Sequence, residues 1–412
     1  MSVGICILGA GPAGLMAAIH AARNDVPALV IEANAGAGRK LLLTGGGRCN
    51  FTHTGDPEEI AKAFGKAGRF LRHALHEWSP EDTREFFLSR GVASTVEPDG
   101  CVFPASNRAA DVHSLLVEEA QRQGTEFQYR SRVSGIAVND GGFTVHAEDR
   151  QITVARVILA TGGASWPQTG SRGDGYHLAA RLGHVVVPPR PSLVPLITRE
   201  TWPRDLAGVS LPSVRVGATV NGHKFAAAGN MLFTQSGIGG PAVLDLSRLL
   251  ADELVGKGDG IDIAIDVLPG MDESQLDRRL QQEFQAYPKK AVANILSEFV
   301  PRQLSRTVCD LAQCEGNLQA GQFPSEKRKR LVHVLKRLPL CVTGTEPIAK
   351  ATVTHGGVSR DEIDPRTMES KIRPGLFFAG EVIDLDGPCG GYNLQMCWST
   401  GALAGRWAAG SL

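Results

Sequence analysis

Two short apolar runs near the start of the chain flank a glycine-rich turn, and this arrangement admits few folds. Ile5-Cys-Ile-Leu8 reads as a strand, Gly9-Ala-Gly-Pro-Ala-Gly14 follows at once, and Leu15 to Ala22 reads as a helix. Ala28-Leu-Val-Ile31 reads as a second strand and ends on Glu32. This is a G-x-G-x-x-G turn in its full setting, strand before and helix after. Gly9 permits the tight turn, Gly11 lets backbone approach a pyrophosphate, and Gly14 lets the helix pack closely on the sheet. Pro12 and Ala13 open the helix, whose N-terminus presents N–H groups and a positive dipole end to phosphate. Glu32 stands 18 residues after Gly14. That is near the ~20-residue offset of an acid that accepts from ribose hydroxyls. With Ala33 beside it, the segment predicts a dinucleotide site.

At 412 residues the chain is long enough for two or three domains. Lys+Arg and Asp+Glu both number 43, so no whole-chain field favours nucleic acid or membrane. The eight cysteines include no C-x-x-C and no metal-ligand spacing, so no metal site is expected. Scattered thiols suit a reducing cytoplasm. There is no uninterrupted apolar run of the ~18 residues that a membrane helix needs, and the apolar N-terminus lacks the basic flank of a signal peptide.

Further along, Gly38-Arg-Lys-Leu-Leu-Leu-Thr-Gly-Gly-Gly-Arg-Cys-Asn50 sets three consecutive glycines between cationic residues. Gly46 and Gly47 suit backbone laid against a flat ligand, and Arg39, Lys40 and Arg48 supply charge for phosphates. A flexible surface loop is the alternative. Ser79-Pro80 caps and opens a helix. Val92 to Phe103 reads as a hairpin turning at Pro98-Asp99-Gly100, and Ala109 to Gln123 reads as a helix. Strands are expected at Val133–Val138, Phe143–Ala147 and Gln151–Ala160, the last running into the turn Thr161-Gly162-Gly163.

Pro188-Pro-Arg-Pro191 marks a boundary. Strand-like runs follow, then a helical block from Asp272 to about Leu338. Gly375 to Glu381 returns to the strand-then-glycine pattern. The chain therefore predicts a discontinuous cofactor domain, 1–188 and 347–412, interrupted by a β domain at 189–270 and a helical subdomain at 271–346. Gly387-Pro-Cys-Gly-Gly-Tyr-Asn393 leads into a last helix starting at Leu394. A second glycine wall so far from the first suits FAD, whose ring needs its own support. A helix N-terminus at the flavin N1–C2=O edge would stabilise the reduced, anionic ring by ~0.3–1 kcal/mol, up to ~2 when partly buried.

The Gly38–Asn50 stretch resembles the signature of a bacterial flavoprotein family whose members are labelled BaiN-like or aminoacetone-oxidase-like. Leu232-Phe-Thr-Gln-Ser-Gly-Ile-Gly-Gly-Pro-Ala242, Thr354-His-Gly-Gly-Val358 and Gly375 through Gln395 extend the likeness over nearly the whole chain. The resemblance implies an α/β, glutathione-reductase-like Rossmann domain for FAD, with an inserted β domain and a small helical part. It carries cofactor contacts onto Gly9, Gly11, Ala13, Glu32, Arg39, Lys40, Gly46, Arg48, Cys49 and Asn50. Thr161, Gly162, Gly380, Glu381, Asp386, Gly391, Asn393 and Leu394 lie along the rest of the cofactor. Val133, Gly390 and Tyr392 complete the expected set. The chain has His355 where the family more often has a small residue, and Gln235 where His is common.

Only one strand–G-x-G-x-x-G–helix unit is present, so NAD(P)H is expected as a transient donor at the flavin face, if it serves at all. The first expectation is reduction of an activated C=C bond in a small molecule, with Cys389 or His355 as acid. Either side chain has an alternative role, as a packing thiol or a hydrogen-bonded loop histidine. Relatives by this resemblance act on bile-acid-type enones and form dihydrouridine in ribosomal RNA. An amine oxidase is a second reading. Docking on RNA through the basic segment 327–337 is a third, set against a plain solvated helix face. Residues 301–340 hold eight Lys/Arg against three acids.

Overall fold

The computed structural model describes residues 3–21, 28–148 and 150–410. Ala22, the expected end of the first helix, lies outside them. The chain forms two compact units, one of residues up to Arg190 together with Thr352 onward, the other Pro191–Ala351.

The first unit is built on a seven-stranded sheet. The Val3–Leu8 strand pairs in parallel with Ala28–Ile31 on one side and Arg150–Leu159 on the other. Glu126–Gln128 extends the sheet in parallel beyond Ala28–Ile31. The long Arg150–Leu159 strand has two neighbours in succession. Its first half pairs antiparallel with Gly142–Ala147, and its last residues pair in parallel with Leu376–Phe378. Central strands read as continuous apolar runs because helices cover both faces of a parallel sheet. Ile5 through Leu8 and Val157 through Leu159 are buried accordingly.

The helix Pro12–Ala21 is buried on nearly all sides, and the reason lies at the other end of the chain. The C-terminal helix, Tyr392–Gly410, lies against it through residues without bulk. A Cβ on Gly401 would stand 2.5 Å from the Ala13 carbonyl oxygen, and one on Gly405 would stand 2.3 Å from that of Ala17. Trp398 is fully buried on this helix and donates its indole N–H to the Phe51 carbonyl at 2.7 Å.

Local signals act as the sequence suggests. Ser79 and Asp82 form a capping box before Pro80–Leu88. Ser94–Val96 and Cys101–Pro104 form a hairpin, joined by Thr52–His53 as third strand. Other elements lie where no helix or strand is expected. Pro57–Ala63 and Gly68–Glu77 are helices. The proline-rich boundary is itself part of a strand, Val186–Ser192, paired with Val353–Val358 in a two-stranded sheet. Prolines are tolerated there because a two-stranded sheet is all edge.

The second unit is a closed barrel of strands Leu196–Thr198, Gly237–Gly239, His223–Phe233, Ser210–Val220, Ile261–Asp266 and Leu338–Thr345. Its helices Glu273–Ala286, Val292–Leu296, Arg302–Leu311 and Ser325–Lys336 share one apolar cluster with the barrel strands. The closing strand comes after these helices, so barrel and helical block form one core. The sequence separates them only because the closing strand is remote.

The close helix contact gives a direct test. Gly405→Leu should destabilise the chain by ~1–3 kcal/mol or more in urea unfolding, because overpacking displaces backbone. Gly410→Ala, whose added methyl meets nothing within 4 Å, should stay within about 0.5 kcal/mol of wild type.

Candidate functional site

The three fingerprint glycines have three distinct surroundings. Gly9 has φ +102°, and a Cβ there would stand 2.6 Å from the Ala160 carbonyl oxygen. A Cβ on Gly14 would stand 1.9 Å from the Gly9 carbonyl oxygen. Around Gly11, by contrast, a Cβ would meet no protein atom within 4 Å. The first two positions are closed by backbone and the third opens in front of the helix. Leu15 N–H is bonded to the Gly11 carbonyl at 2.9 Å. The amides of Ala13 and Gly14 thus precede the first intrahelical bond, as anion binding at a helix N-terminus requires.

Glu32 ends the Ala28–Ile31 strand and is 9% exposed. One carboxylate oxygen accepts from Ala10 N–H at 2.8 Å, and the other from Asn34 N–H at 2.8 Å and Asn34 Nδ2 at 2.7 Å. Two carboxylate oxygens offer about four acceptor sites, so the acid is oriented and retains capacity for a hydroxyl. Asn34 is a residue that sequence reasoning missed; its position beside Ala33 is the only signal. Backbone N–H groups of Arg130 and Ser131 bond to the carbonyls of Asn34 and Glu32. Val133, half-buried at the head of its strand, lies two residues on.

The Gly38–Asn50 segment is ordered by left-handed backbone. Gly45, Gly46 and Gly47 have φ of +56°, +68° and +89° in succession, a run that residues with a Cβ rarely sustain. No protein atom lies within 4 Å of a Cβ built on Gly46. Its cations have protein partners. Lys40 Nζ bonds Glu381 at 2.8 Å and Ser165 Oγ at 2.7 Å. Arg48 bonds Glu97 at 2.5 Å and Asn107 at 2.8 Å and lies over the Phe103 ring. Arg39 reaches the Asn34 side chain at 3.1 Å. Lys40 and Arg48, expected to neutralise phosphate, each have a carboxylate partner within the protein. Cys49 is fully buried, and burial pushes its thiol up to about 12. Asn50 Oδ1 accepts from Val102 N–H at 3.2 Å.

Turns at the carboxyl ends of two further parallel strands complete the wall. Ala160 N–H bonds the Leu8 carbonyl at 2.9 Å, and Thr161 and Gly162 follow. The Thr161 hydroxyl oxygen is buried without a hydrogen-bond partner. After Leu376–Phe378 comes Gly380, where a Cβ would stand 2.7 Å from that of Ala13. The Glu381 carboxylate accepts from Lys40, from Thr354 N–H at 2.8 Å and from Ser165 Oγ at 3.1 Å.

The Gly387–Gly391 turn is held by Asn393. Its Oδ1 accepts from Gly387 N–H at 2.8 Å, and its Nδ2 donates to the carbonyls of Gly387 at 2.9 Å and Pro388 at 3.2 Å. A Cβ on Gly391 would stand 2.2 Å from the Thr52 carbonyl oxygen. Gly390 has φ +111°, Tyr392 stacks on His53, and Cys389, just before Gly390, is half-exposed. The first intrahelical bond runs from Gln395 N–H to the Gly391 carbonyl. The Asn393 and Leu394 amides therefore stand at the open N-terminus of the last helix. Asp386, 8% exposed, places a carboxylate oxygen 2.9 Å from His355 Nδ1.

The fingerprint turn, Glu32, Thr161–Gly162 and Gly380–Glu381 thus follow the carboxyl ends of parallel strands, where open α/β sheets bind ligands. The open space before Gly11 and the orphaned Thr161 hydroxyl fit a dinucleotide such as FAD. The basic segment 327–337 is different. Lys327 pairs with Glu315, Arg328 bidentately with Asp277, Lys336 with Asp266 and Arg337 with Glu273. Carboxylates from neighbouring elements thus pair with four of the six cations in this segment. All eight cysteines are free thiols, and no helix among the described residues is long and apolar enough to cross a membrane.

The family model described as the HI0933-like protein Rossmann domain matches residues 3–407. The chain is 34% identical over 408 residues, 98% of each protein, to a 3-dehydro-bile acid delta(4,6)-reductase of Clostridium scindens. It is 32% identical over 397 residues to a ribosomal RNA dihydrouridine synthase of Escherichia coli, covering 96% of this chain and 95% of the relative. Among solved structures, 3-ketosteroid delta1-dehydrogenase from Sterolibacterium denitrificans superposes with a TM-score of 0.54 at 14% identity over 99% of each chain, a likeness of fold.

The glycine surroundings separate binding from folding. Gly11→Val should fold with near-wild-type stability and purify without bound dinucleotide, read from visible absorbance. Gly14→Val should lose stability outright by ~1–3 kcal/mol or more, since its Cβ meets backbone. A Gly11→Val protein that keeps full cofactor would move the pyrophosphate elsewhere.

Proposed function

From the chain's membership of the HI0933-like Rossmann family, we propose that it is an FAD-dependent oxidoreductase that saturates an activated C=C bond. The observation that carries the proposal is the paired architecture of the site. One open helix N-terminus stands beside Gly11 for a pyrophosphate, and a second begins at Asn393 beside a glycine turn, for a ring. The activities for which both relatives are named, delta(4,6) reduction and dihydrouridine formation, describe saturation of a C=C bond.

FAD, when bound, supplies two-electron hydride chemistry. The protein's own work is to hold and polarise. Ala13 and Gly14 amides bind the pyrophosphate, and Glu32 holds a ribose hydroxyl. The amides at 393–394 favour negative charge on the ring's near edge, by ~0.3–1 kcal/mol if exposed and up to ~2 if partly buried. Burial keeps Cys49 a neutral thiol; with FAD held non-covalently, acid precipitation should release all the flavin into the supernatant. NAD(P)H serves as a transient donor, and the reducing cytoplasm is the compartment that eight free thiols suit.

The second reading is that the activated bond belongs to a uridine in ribosomal RNA, favoured by the 32% identity to the synthase. An anaerobic cycle tests both. NADH or NADPH should bleach the yellow protein. An enone such as 2-cyclohexen-1-one should restore the colour in one-to-one stoichiometry and yield the saturated ketone. Restoration only by RNA, with dihydrouridine formed, would select the second reading. No response to either acceptor, together with steady peroxide release when an amine is added in air, would sink both in favour of an oxidase.

A further inference from the structure

Saturating a polarised C=C bond needs a proton as well as a hydride, and the site residues differ in how well they are prepared to give one. His355 lies on the Val353–Val358 strand, one residue from Thr354. Thr354 is locked into the site from both sides. Its N–H bonds Glu381, and its hydroxyl oxygen accepts from the amides of Ala164 at 2.8 Å and Ser165 at 3.1 Å. These partners belong to the turns that follow the Arg150–Leu159 and Leu376–Phe378 strands, so the strand carrying His355 is fixed to the wall of the dinucleotide site. Gly356, at φ +87°, packs against the Pro188 carbonyl, where a Cβ would come within 2.6 Å. The backbone at His355 is therefore held on both flanks.

The ring is held as well. Its Nδ1 is 2.9 Å from Asp386, whose side chain is 9% exposed against 24% for the histidine. Asp386 is joined directly to the Gly387–Gly391 turn that Asn393 braces. One carboxylate thus ties the imidazole to the turn beneath the proposed ring site, while the imidazole keeps contact with solvent. Asp386 faces the ring itself; Lys40, Tyr176 and Asp384 stand around Glu381 and Thr354 next to it, and the paired strand carries Arg190.

Resting on the reductase reading, we propose that His355 is the proton donor of this enzyme and that Asp386 is its positioning residue. A carboxylate at Nδ1 fixes the ring's orientation and leaves transfer to Nε2. As hydride from the reduced cofactor reaches the β-carbon, the C=C π bond breaks and its electron pair passes to the α-carbon. There it forms a C–H bond with the Nε2 proton. The products are the saturated carbonyl compound, oxidised cofactor and neutral imidazole, which regains a proton from solvent. Cys389, the other candidate acid, lies on the same turn.

The test uses the full-length, FAD-loaded protein and 2-cyclohexen-1-one. H355Q and H355N should retain FAD, shown by visible absorbance, and should slow anaerobic reoxidation by the enone by ~10²–10⁴-fold. In wild type that rate should fall by about tenfold per pH unit above the histidine's titration, because only the imidazolium carries the proton; in H355Q the dependence should vanish. Long-range ¹⁵N NMR of the full chain supplies a readout independent of turnover. The neutral His355 ring should carry its proton on Nδ1 in wild type and lose that preference in D386N. The assignment is overturned by H355Q at wild-type speed, by loss of FAD from both His355 variants, or by a neutral wild-type ring that carries its proton on Nε2. Wild-type protein that no enone reoxidises would instead bring down the reductase reading itself, and the assignment with it.

Discussion

Everything at the site depends on backbone approaching backbone where no side chain can intervene. A Cβ on Gly14 would stand 1.9 Å from the Gly9 carbonyl, and one on Gly9 would stand 2.6 Å from that of Ala160. These two contacts bring the fingerprint helix and the turn after Arg150–Leu159 together within the thickness of a peptide. Gly380 against Ala13 adds the turn after Leu376–Phe378. The same device then acts at long range. Gly401 and Gly405 seat the last helix on the first, so a segment near residue 392 comes to stand beside one near residue 13. The two helix N-termini offered to a cofactor are fixed relative to each other by these missing side chains, with the Arg406 Nε–His20 Nδ1 contact at 3.4 Å further along the same pair of helices.

This explains which parts were legible in the sequence. The strand–turn–helix at the front, the Ser79-Pro80 start and the Pro98-Asp99-Gly100 hairpin are local, and each is specified by residues a few positions apart. The left-handed run at Gly45–Gly47 is legible for the same reason, since three adjacent glycines have few other uses. What was not legible is pairwise and remote. Lys40 and Glu381 are 341 positions apart, and nothing in either neighbourhood shows that the lysine belongs to a carboxylate. The closing barrel strand, Leu338–Thr345, pairs with Leu196–Thr198 and Ile261–Asp266 across a helical block. The proline-rich Val186–Ser192 strand breaks a composition rule that holds for inner strands only. Val186–Ser192 has one partner, so its prolines forfeit no ladder bond on the open side.

The pairing of cations with acids also bears on how the site handles charge. Lys40 and Arg48 read as phosphate ligands in isolation, yet each has a carboxylate at hydrogen-bond distance. A cation so compensated contributes little net field. The uncompensated positive ends are the helix N-termini at Ala13–Gly14 and Asn393–Leu394. Helix ends lose less than lysines do to side-chain entropy, because their donors are already fixed in place.

Preorganisation of this kind has a consequence for chemistry at the far end. Backbone amides at Asn393 and Leu394 would hold a bound ring against the Gly387–Gly391 turn, and groups attached to that turn would share its frame. Asn393 closes the turn on one side, and Asp386 begins it on the other. A histidine oriented by Asp386 is therefore referenced to the same rigid feature as the ring. That common reference is what proton transfer requires, since displacement of a donor by about an ångström can cost on the order of a hundredfold in rate. Lys40, Ser165 and Thr354 converge on Glu381 to hold the strand beneath. The polar network thus acts as a frame for one imidazole, with the glycine contacts supplying the frame for the cofactor.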